Sequence, residues 1–193
     1  MKKLSLILFL FSCSLIFGQQ KVDVSASNIK WTGSQISGKS HFGSLKFKTG
    51  NITIKNNVVE SGIFVVDMTS LSVDDLEGRG KKSLEGHLNS DDFFSVESFP
   101  TSSLTISSGK QNGPSSFDVS GTLTIKGVSQ GVSFSLNLEE NNSASAKLTF
   151  DRSKFNVRYG SGSFFENLGD KLILDNIDSV SYTHLTLPTI CSV

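Results

Sequence analysis

Residues Ser116 to Leu138 read SFDVSGTLTIKGVSQGVSFSLNL, with an apolar residue at nearly every second position on both sides of Lys126-Gly127. Because successive side chains of a strand point to opposite faces, one face of this segment is apolar and the other carries Ser, Thr and Asn. A Lys-Gly corner suits the tight turn that joins two antiparallel strands. The stretch therefore predicts a β-hairpin whose buried face comprises Val119, Leu123, Ile125, Val132, Phe134, Leu136 and Leu138.

The same alternation recurs along the chain and predicts an all-β fold. Further strand signals lie at residues 29–32, 45–49, 52–55, 62–68, 103–107, 144–150 and 171–174. Turn-forming residues separate the strands at 49–51, 56–57, 109–114, 126–127 and 139–142. Connections this short exclude crossover helices, so we expect a mainly antiparallel sheet. Residues 74–94 break the alternation, and Leu84 and Leu88, four apart, predict one or two helical turns there.

The beginning of the chain differs in composition from the middle. Residues 1–19 open with Lys2 and Lys3 and continue as an apolar stretch. This pattern is typical of a secretory signal peptide and predicts a periplasmic or secreted protein. The stretch is short for a membrane span, so stable membrane insertion after cleavage is not expected. A lipoprotein anchored through Cys13 is the less favoured alternative.

The end of the chain also stands apart. Residues 179–193 lose the charges and glycine turns of the preceding sequence and include Cys191. We interpret them as a non-native tail, because they resemble translated adapter sequence, and we expect the last natural strand to be missing or replaced. The alternative is a genuine edge strand from Val180 to Leu187, ended by Pro188. The remaining residues, 20–178, are enough for a single domain with one core.

Composition narrows the classes of partner. The 18 basic and 18 acidic residues balance, and no long basic run occurs, so nucleic acid is not expected. No cysteine falls within residues 20–178, so apolar burial must stabilise the domain without disulfides. Of the 15 phenylalanines, only Phe9, Phe11 and Phe17 fall in the signal peptide. The others suit either a packed core or the wall of a hydrocarbon cavity, and both readings stay open.

Four segments resemble, in order, the YceI-like family: HFGSLKFKTGNITI (41–54), GHLNSDDFFSVESFP (86–100), SGTLTIKGVSQGVSF (120–134), and FDRSKFNV with FENLGDKLIL (150–174). The resemblance covers essentially all of residues 22–178. It implies an eight-stranded antiparallel lipocalin-like barrel with one short helical segment near residues 74–94. It also implies an elongated apolar interior and the binding of polyisoprenoid or similar lipids outside the cytoplasm.

We therefore expect a non-catalytic extracytoplasmic protein that holds a long isoprenoid or a similar amphiphilic lipid inside a barrel. No cofactor is expected apart from such a lipid, or a quinone, as ligand, and a homodimer is the one protein partner considered. The alternative is a structural or interaction barrel whose own side chains fill the core. The candidate lipid-binding residues are the aromatic side chains on predicted inward faces or near the irregular segment: Trp31, Phe42, Phe47, Phe64, Phe93, Phe94, Phe99, Phe134 and Phe150.

Motifs for other chemistry are weaker. Residues 127–131 match the G-x-S-x-G string of hydrolases around Ser129, but a strand pattern follows where a helix is required, so a hairpin corner is favoured. His41 and His87 lack metal-site spacing, so no metal is expected. Polar roles near the barrel mouth, or simply positions on the surface, are favoured for them. The paired acids are interpreted as turn or surface residues, not as acid–base catalysts: Asp74-Asp75, Asp91-Asp92 and Glu139-Glu140.

Two further segments carry polar residues in suggestive places. Residues 160–163 read GSGS and are interpreted as a flexible loop, since they do not open a helix that would cradle phosphate. Arg152 and Arg158 follow a predicted strand. A contact with a ligand head group and structural pairing with Asp151 or Glu166 both stay open for them.

Overall fold

The computed structural model describes residues 19 to 186. The strands in this range are β1 (Gln20–Val22), β2 (Asn28–Gln35), β3 (Ser40–Lys55), β4 (Val58–Val73), β5 (Thr101–Gln111), β6 (Ser116–Ile125), β7 (Val128–Leu138), β8 (Ser143–Asp151) and β9 (Ile173–Thr186). One α-helix, α1, spans Gly78–Asn89, and two 3₁₀ helices span Arg152–Phe155 and Gly169–Lys171.

Strands β2 to β9 form a closed ring. Each pairs antiparallel with the next in the chain, and β9 pairs back with β2. Strand β1 is extra to the ring: it pairs with β3 at Gln20 and Ile52 and with β9 at Lys21 and Thr186, beyond the start of β2. Closure gives every ring strand two neighbours, which removes the exposed edges of an open sheet. The predicted eight-stranded antiparallel barrel is confirmed.

The last strand is expected to be missing or replaced, and β9 contradicts the first of these two possibilities, because a strand occupies the closing position. Ile173–Thr186 is one continuous strand that pairs with β8 at residues 176–184 and with β2 at residues 173–182. Tyr182, for example, pairs with Ser145 on one side and Asn28 on the other. Val180, the start of the alternative edge strand, is likewise paired on both sides. The alternation of side chains continues through this stretch, and two open strand edges are available to bind it. The non-native origin of the tail stays a prediction.

Strand β3 brings a second correction. The turn predicted at residues 49–51 lies inside β3, and the chain reverses instead at Asn56-Asn57, where φ is 49° and 59°. Gly50 serves close packing: a Cβ at this position would lie 2.6 Å from Cγ2 of Val22 on β1. A glycine inside a strand pattern thus marks the close approach of another strand here, not a turn.

The hairpin of β6 and β7 has the predicted geometry. Lys126 and Gly127 adopt φ of 51° and 73°, as a tight two-residue turn requires. Val119, Phe134 and Leu136 are buried on the inner face. This alternation decides which side chains reach the interior of the barrel.

The two ends of the barrel differ. Short turns lie at one end, here called the hairpin end, at residues 56–57, 112–115 and 139–142. The other end, here called the helix end, carries two long connections, residues 74–100 and 152–172. The first contains α1, whose Leu88 packs with Val73 and Phe93, and confirms the predicted helical segment. At 12 residues α1 makes about three turns, more than the one or two expected.

Arg152 fixes the second long connection to the start of β9. Its side chain is completely buried, with 0% exposed. Its Nη2 lies 3.3 Å from Oδ1 of Asp175. Burial lowers the pKa of Arg152, and the charge of Asp175 opposes that shift. The guanidinium also donates hydrogen bonds to four backbone carbonyls, those of Val157 (3.2 Å), Tyr159 (2.8 Å), Ile173 (3.1 Å) and Leu174 (3.3 Å).

These contacts correct several expectations. Arg152 pairs with Asp175 instead of Asp151 or Glu166, and its burial excludes contact with a ligand head group. Asp175 also accepts hydrogen bonds from the hydroxyls of Ser161 (2.9 Å) and Ser163 (2.7 Å), so residues 160–163 are held in place instead of forming a free loop. The sequence spacing gave no sign of Asp175 because it lies across the barrel end on β9.

The exposed Arg158 behaves differently. Its Nε donates to Oδ1 of Asn156 at 2.9 Å, and its guanidinium carbon lies 5.0 Å from the centre of the Phe164 ring. These contacts lie on the surface, where a cation over an aromatic ring contributes little, about 0.5–1 kcal/mol.

Replacing the buried arginine tests its anchoring role. We expect Arg152→Met to lower the free energy of unfolding by about 3 kcal/mol or more, because buried carbonyls and Asp175 lose their partner. The exposed Arg158→Met is the matched control, with an expected loss within about 0.5–1 kcal/mol. Urea unfolding followed by circular dichroism measures both. Equal losses in the two variants would contradict the anchor.

Candidate ligand-binding cavity

The barrel encloses a cavity of about 340 Å³. Towards the hairpin end its wall is fully buried, as at Ile52 and Ile106. Towards the helix end its lining includes the exposed Lys39 and the half-exposed Tyr159, so the cavity opens there. Small-molecule sites typically measure about 300–1,000 Å³. The interior is therefore hollow, which contradicts the alternative of a core filled by the protein's own phenylalanines.

Seven of the nine candidate aromatic residues line this cavity: Trp31, Phe47, Phe64, Phe93, Phe94, Phe134 and Phe150. They come from different strands and from the segment after α1. Those on strands occupy inward-pointing positions, and closure of the barrel brings these positions together. Within this set the rings of Phe47 and Phe64 lie 6.1 Å apart, and those of Phe93 and Phe94 lie 4.9 Å apart. Their contact with lipid stays a prediction.

Phe42 and Phe99 lie outside the cavity. On β3 it is His41 that faces inward, so its neighbour Phe42 points outward and is 49% exposed. Phe99 packs instead against the β6–β7 turn, where a Cβ on Gly127 would lie 3.1 Å from its Cε1. The two residues were chosen for their aromatic character, and in both cases local geometry directs the ring away from the interior.

Aliphatic and small residues of the wall were missed by the choice of aromatic side chains. They include Leu45, Val66, Met68, Leu104, Leu136, Ala144, Ala146 and Leu148. Ala144 and Ala146 matter most for space, because these two inward positions of β8 carry only a methyl group. The alternation along β8 was visible in the sequence, and applying it to small as well as large side chains would have found them.

Three hydroxyl groups interrupt the apolar wall on β9. Ser179, Ser181 and Thr183 alternate along its inward face and line the cavity. Thr183 is buried, and within residues 19–186 none of the three hydroxyls makes a hydrogen bond to the protein. Ser179 and Ser181 are only partly buried, and all three hydroxyls face the cavity. A hydroxyl group meets a hydrocarbon less favourably than a methyl group does, so this face is the least apolar part of the wall.

Other polar side chains gather at the mouth. Nδ1 of His41 lies 2.7 Å from Oδ2 of Asp75, and the backbone N–H of Phe42 donates to Oδ1 of Asp75 at 3.1 Å. Burial raises the pKa of Asp75, but the hydrogen bonds from His41 and Phe42 outweigh it, and the pKa lies below its ordinary value. Asp75 is therefore a carboxylate at neutral pH, bonded through both oxygens.

His87 lies on the cavity wall where α1 ends. Its Nε2 is buried with no hydrogen-bond partner among the described residues, and its ring centre is 4.3 Å from that of Tyr159. Both histidines thus lie near the mouth, which is one of the two positions considered for them. Across residues 19–186, no three His, Cys, Asp or Glu side chains converge in an arrangement that would hold a metal ion.

A model of the YceI-like domain matches residues 20–178. The chain belongs to the YceI-like family. No curated protein matches it. Among solved structures, this YceI-like chain is similar to BcnA of Burkholderia cenocepacia, with 20% identity and a TM-score of 0.68 over 86% of this chain and 99% of that one.

Two further structures share the barrel. A polyisoprenoid-binding domain from Saccharophagus degradans, implicated in plant cell wall breakdown, has 14% identity and a TM-score of 0.59 over 88% of this chain and 98% of that one. A YceI protein of Campylobacter jejuni has 17% identity and a TM-score of 0.53 over 74% and 83%. At such identities the similarity shows the fold. No helix in residues 19–186 has the length and apolar character needed to cross a membrane.

Removing the inward hydroxyls tests the cost assigned to them. In this YceI-like chain we expect the triple variant Ser179→Ala, Ser181→Ala and Thr183→Val to raise the free energy of unfolding by about 0.5–1 kcal/mol, because hydroxyls that face the cavity without a protein partner are replaced by apolar groups at little change in volume. Tyr182→Phe removes a hydroxyl from the outer face of the same strand and should have almost no effect. Urea unfolding measures both, and a destabilised triple variant would contradict the assignment.

Proposed function

We propose that this YceI-like protein is a non-catalytic extracytoplasmic carrier that holds a long isoprenoid or a similar amphiphilic lipid, including a prenylated quinone, in the barrel cavity. The observation that carries this proposal is the hollow, apolar interior of about 340 Å³ with its polar mouth at the helix end. A hydrocarbon chain in such a space is removed from water on all sides. Each buried CH₂ group contributes about 0.8 kcal/mol, so a prenyl chain offsets the cost of association.

The distribution of polar groups favours an amphiphile over a pure hydrocarbon. Gln35, Lys39 and His41 lie together at the opening, whereas Ile52 and Ile106 line the far end. A chain that enters tail first would bury its apolar part and leave its polar end among hydrogen-bonding groups. The hydroxyls of β9 add polar groups to the wall between these regions.

The absence of catalysis is also part of the proposal. Ser129, the candidate hydrolase nucleophile, lies beside the β6–β7 turn, and its hydroxyl is 2.8 Å from that of Thr124. It faces the outer surface and is not part of the cavity lining. The favoured reading of residues 127–131 as a hairpin corner therefore agrees with the position of this serine.

Two observations from outside the cavity support the proposal. The domain from Saccharophagus degradans is described as polyisoprenoid-binding, and its barrel is similar to this one. The composition of residues 1–19 supports export, although residues 1–18 lie outside the described range. A homodimer stays a prediction.

Blocking the cavity tests the carrier function. The full chain is exported in a bacterium, purified, and extracted for mass spectrometry of bound lipid. We expect Ala146→Phe to retain at least about tenfold less lipid than the unmodified protein, because the ring occupies volume from which several CH₂ groups would be excluded. Ser145→Phe, which adds the same ring to the outer face of β8, is the matched control and should retain lipid.

A second substitution protects this test against misfolding. Ala146→Leu adds less volume and should reduce the retained lipid by an intermediate amount, while circular dichroism confirms that each variant is folded. Folded, unmodified protein that is free of lipid in repeated preparations and takes up no added prenyl lipid would overturn the carrier proposal. Equal lipid in Ala146→Phe and Ser145→Phe would show that the cavity is not the binding site.

A further inference from the structure

His41 offers the ligand a hydrogen-bond acceptor at the mouth of the cavity. We propose that this acceptor selects ligands whose polar end is a hydroxyl group, as in a prenyl alcohol or a quinol, over ligands of the same chain that end in an ether or a carbonyl. The inference rests on the proposed function, since it concerns the polar end of a lipid already held in the cavity. It adds the chemical class of that polar end.

Asp75 determines the position of the proton on a neutral His41. Asp75 accepts from the backbone N–H of Phe42 through Oδ1 and faces Nδ1 of His41 through Oδ2. An ionised carboxylate has only acceptors, so the proton of a neutral imidazole must lie on Nδ1. Nε2 of His41 then carries no proton and presents a lone pair. The carboxylate thus determines which kind of hydrogen bond the imidazole can make on its other side.

His41 is accessible to a ligand in the cavity. His41 lines the cavity, its side chain is 20% exposed, and Nε2 makes no hydrogen bond to any of residues 19–186. A hydroxyl at the mouth donates to this nitrogen. The oxygen of an ether or of a quinone carbonyl presents a lone pair to a lone pair and gains nothing there. The difference between the two ligands is one hydrogen bond.

The surrounding groups do not cancel this preference. Gln35 and the hydroxyls on β9 both donate and accept, so they bind an alcohol and an ether with little distinction. Lys39 at the mouth favours an anion, but the ionised Asp75 behind His41 opposes one. A neutral hydroxyl therefore fits this opening better than a diphosphate does.

Replacing the carboxylate by its amide is expected to remove the preference for the alcohol. In Asp75→Asn, the N–H of Phe42 still requires an acceptor, so the amide oxygen takes the place of Oδ1 and the NH₂ group faces Nδ1 of His41. Nδ1 must then accept, and the imidazole proton moves to Nε2. The same ring in the same place becomes a donor towards the ligand. Asp75 is in this sense a positioning residue.

The test compares geranylgeraniol with its methyl ether in mildly alkaline buffer. Trp31, the single tryptophan of the chain, lines the cavity and reports binding by its fluorescence. We expect the unmodified protein to bind the alcohol about fivefold more tightly than the ether, the effect of one net hydrogen bond of about 1 kcal/mol. His41→Phe should bind the two equally, and Asp75→Asn should bind the ether at least as tightly as the alcohol.

Two controls separate selection from folding. Asp74→Asn removes the neighbouring carboxylate, which accepts from the hydroxyl of Ser72 and does not touch His41, and it should keep the preference for the alcohol. Nitrogen-15 chemical shifts of His41 report its tautomer directly, with the proton on Nδ1 in the unmodified protein and on Nε2 in Asp75→Asn. The chemical shifts identify the tautomer of His41 even in a variant that binds the ligands too weakly to titrate.

The outcomes distinguish this inference from the proposed function. Equal affinity for alcohol and ether in the unmodified protein, or a proton on Nε2 in that protein, would overturn the role of His41 and leave the carrier proposal intact. Failure of the alcohol, the ether and the parent hydrocarbon all to bind would overturn the carrier proposal itself. A diphosphate that binds more tightly than the alcohol would contradict the assigned hydroxyl class.

Discussion

Closure of the sheet through β9 is the constraint on which the rest of the structure depends. An open sheet of seven strands would expose the edges of β2 and β8 and would have no inside. β9 satisfies both edges at once, pairing with β8 from Ser143 to Asp151 and with β2 from Asn28 to Gln35. In the closed ring, alternate side chains of each strand point into or out of the barrel. The inward side chains form the wall of the cavity.

The position of β9 depends on its backbone, whereas its fit to the cavity depends on its side chains. Its backbone closes the barrel as any extended segment of that length could, whereas its inward hydroxyls match the wall poorly. Ladder hydrogen bonds belong to the backbone and tolerate many side chains, but an apolar wall does not tolerate unpaired hydroxyls without cost. A strand can therefore pair correctly with its neighbours and still place polar side chains on an apolar wall. Residues 179–186 do both in this chain.

At the helix end, charged side chains hold in place the segments that lie outside the sheet. Arg152 gathers carbonyls of the 152–172 connection and of β9 around one guanidinium, and Asp175 holds the serines of the same connection. This places Tyr159 over His87 at the opening. On the other side of the mouth, Asp75 orients His41. Carboxylates thus position side chains on both sides of the opening. They also place charged groups at the mouth of a cavity whose interior is apolar.

Local sequence patterns suffice to predict elements whose residues lie close together in the chain. Period-two alternation and turn residues identified the hairpin of β6 and β7, the antiparallel class and the helical segment, because each depends on residues close together in the chain. Gly50 was misread as a turn residue, since the strand that packs against it, β1, is distant in sequence. Phe42 was misplaced by one residue of register, which reverses the face of a side chain.

The amino-acid sequence by itself determined the all-β class, the inward face of most strands and the family resemblance, since these depend on local periodicity and on short motifs. Only the tertiary structure decided that the interior is hollow, that Arg152 pairs with Asp175, and that Asp75 meets His41. The physical reason is that a cavity and a buried ion pair are properties of side chains brought together from distant strands. Their spacing in the chain carries no record of the distance between them in the folded barrel.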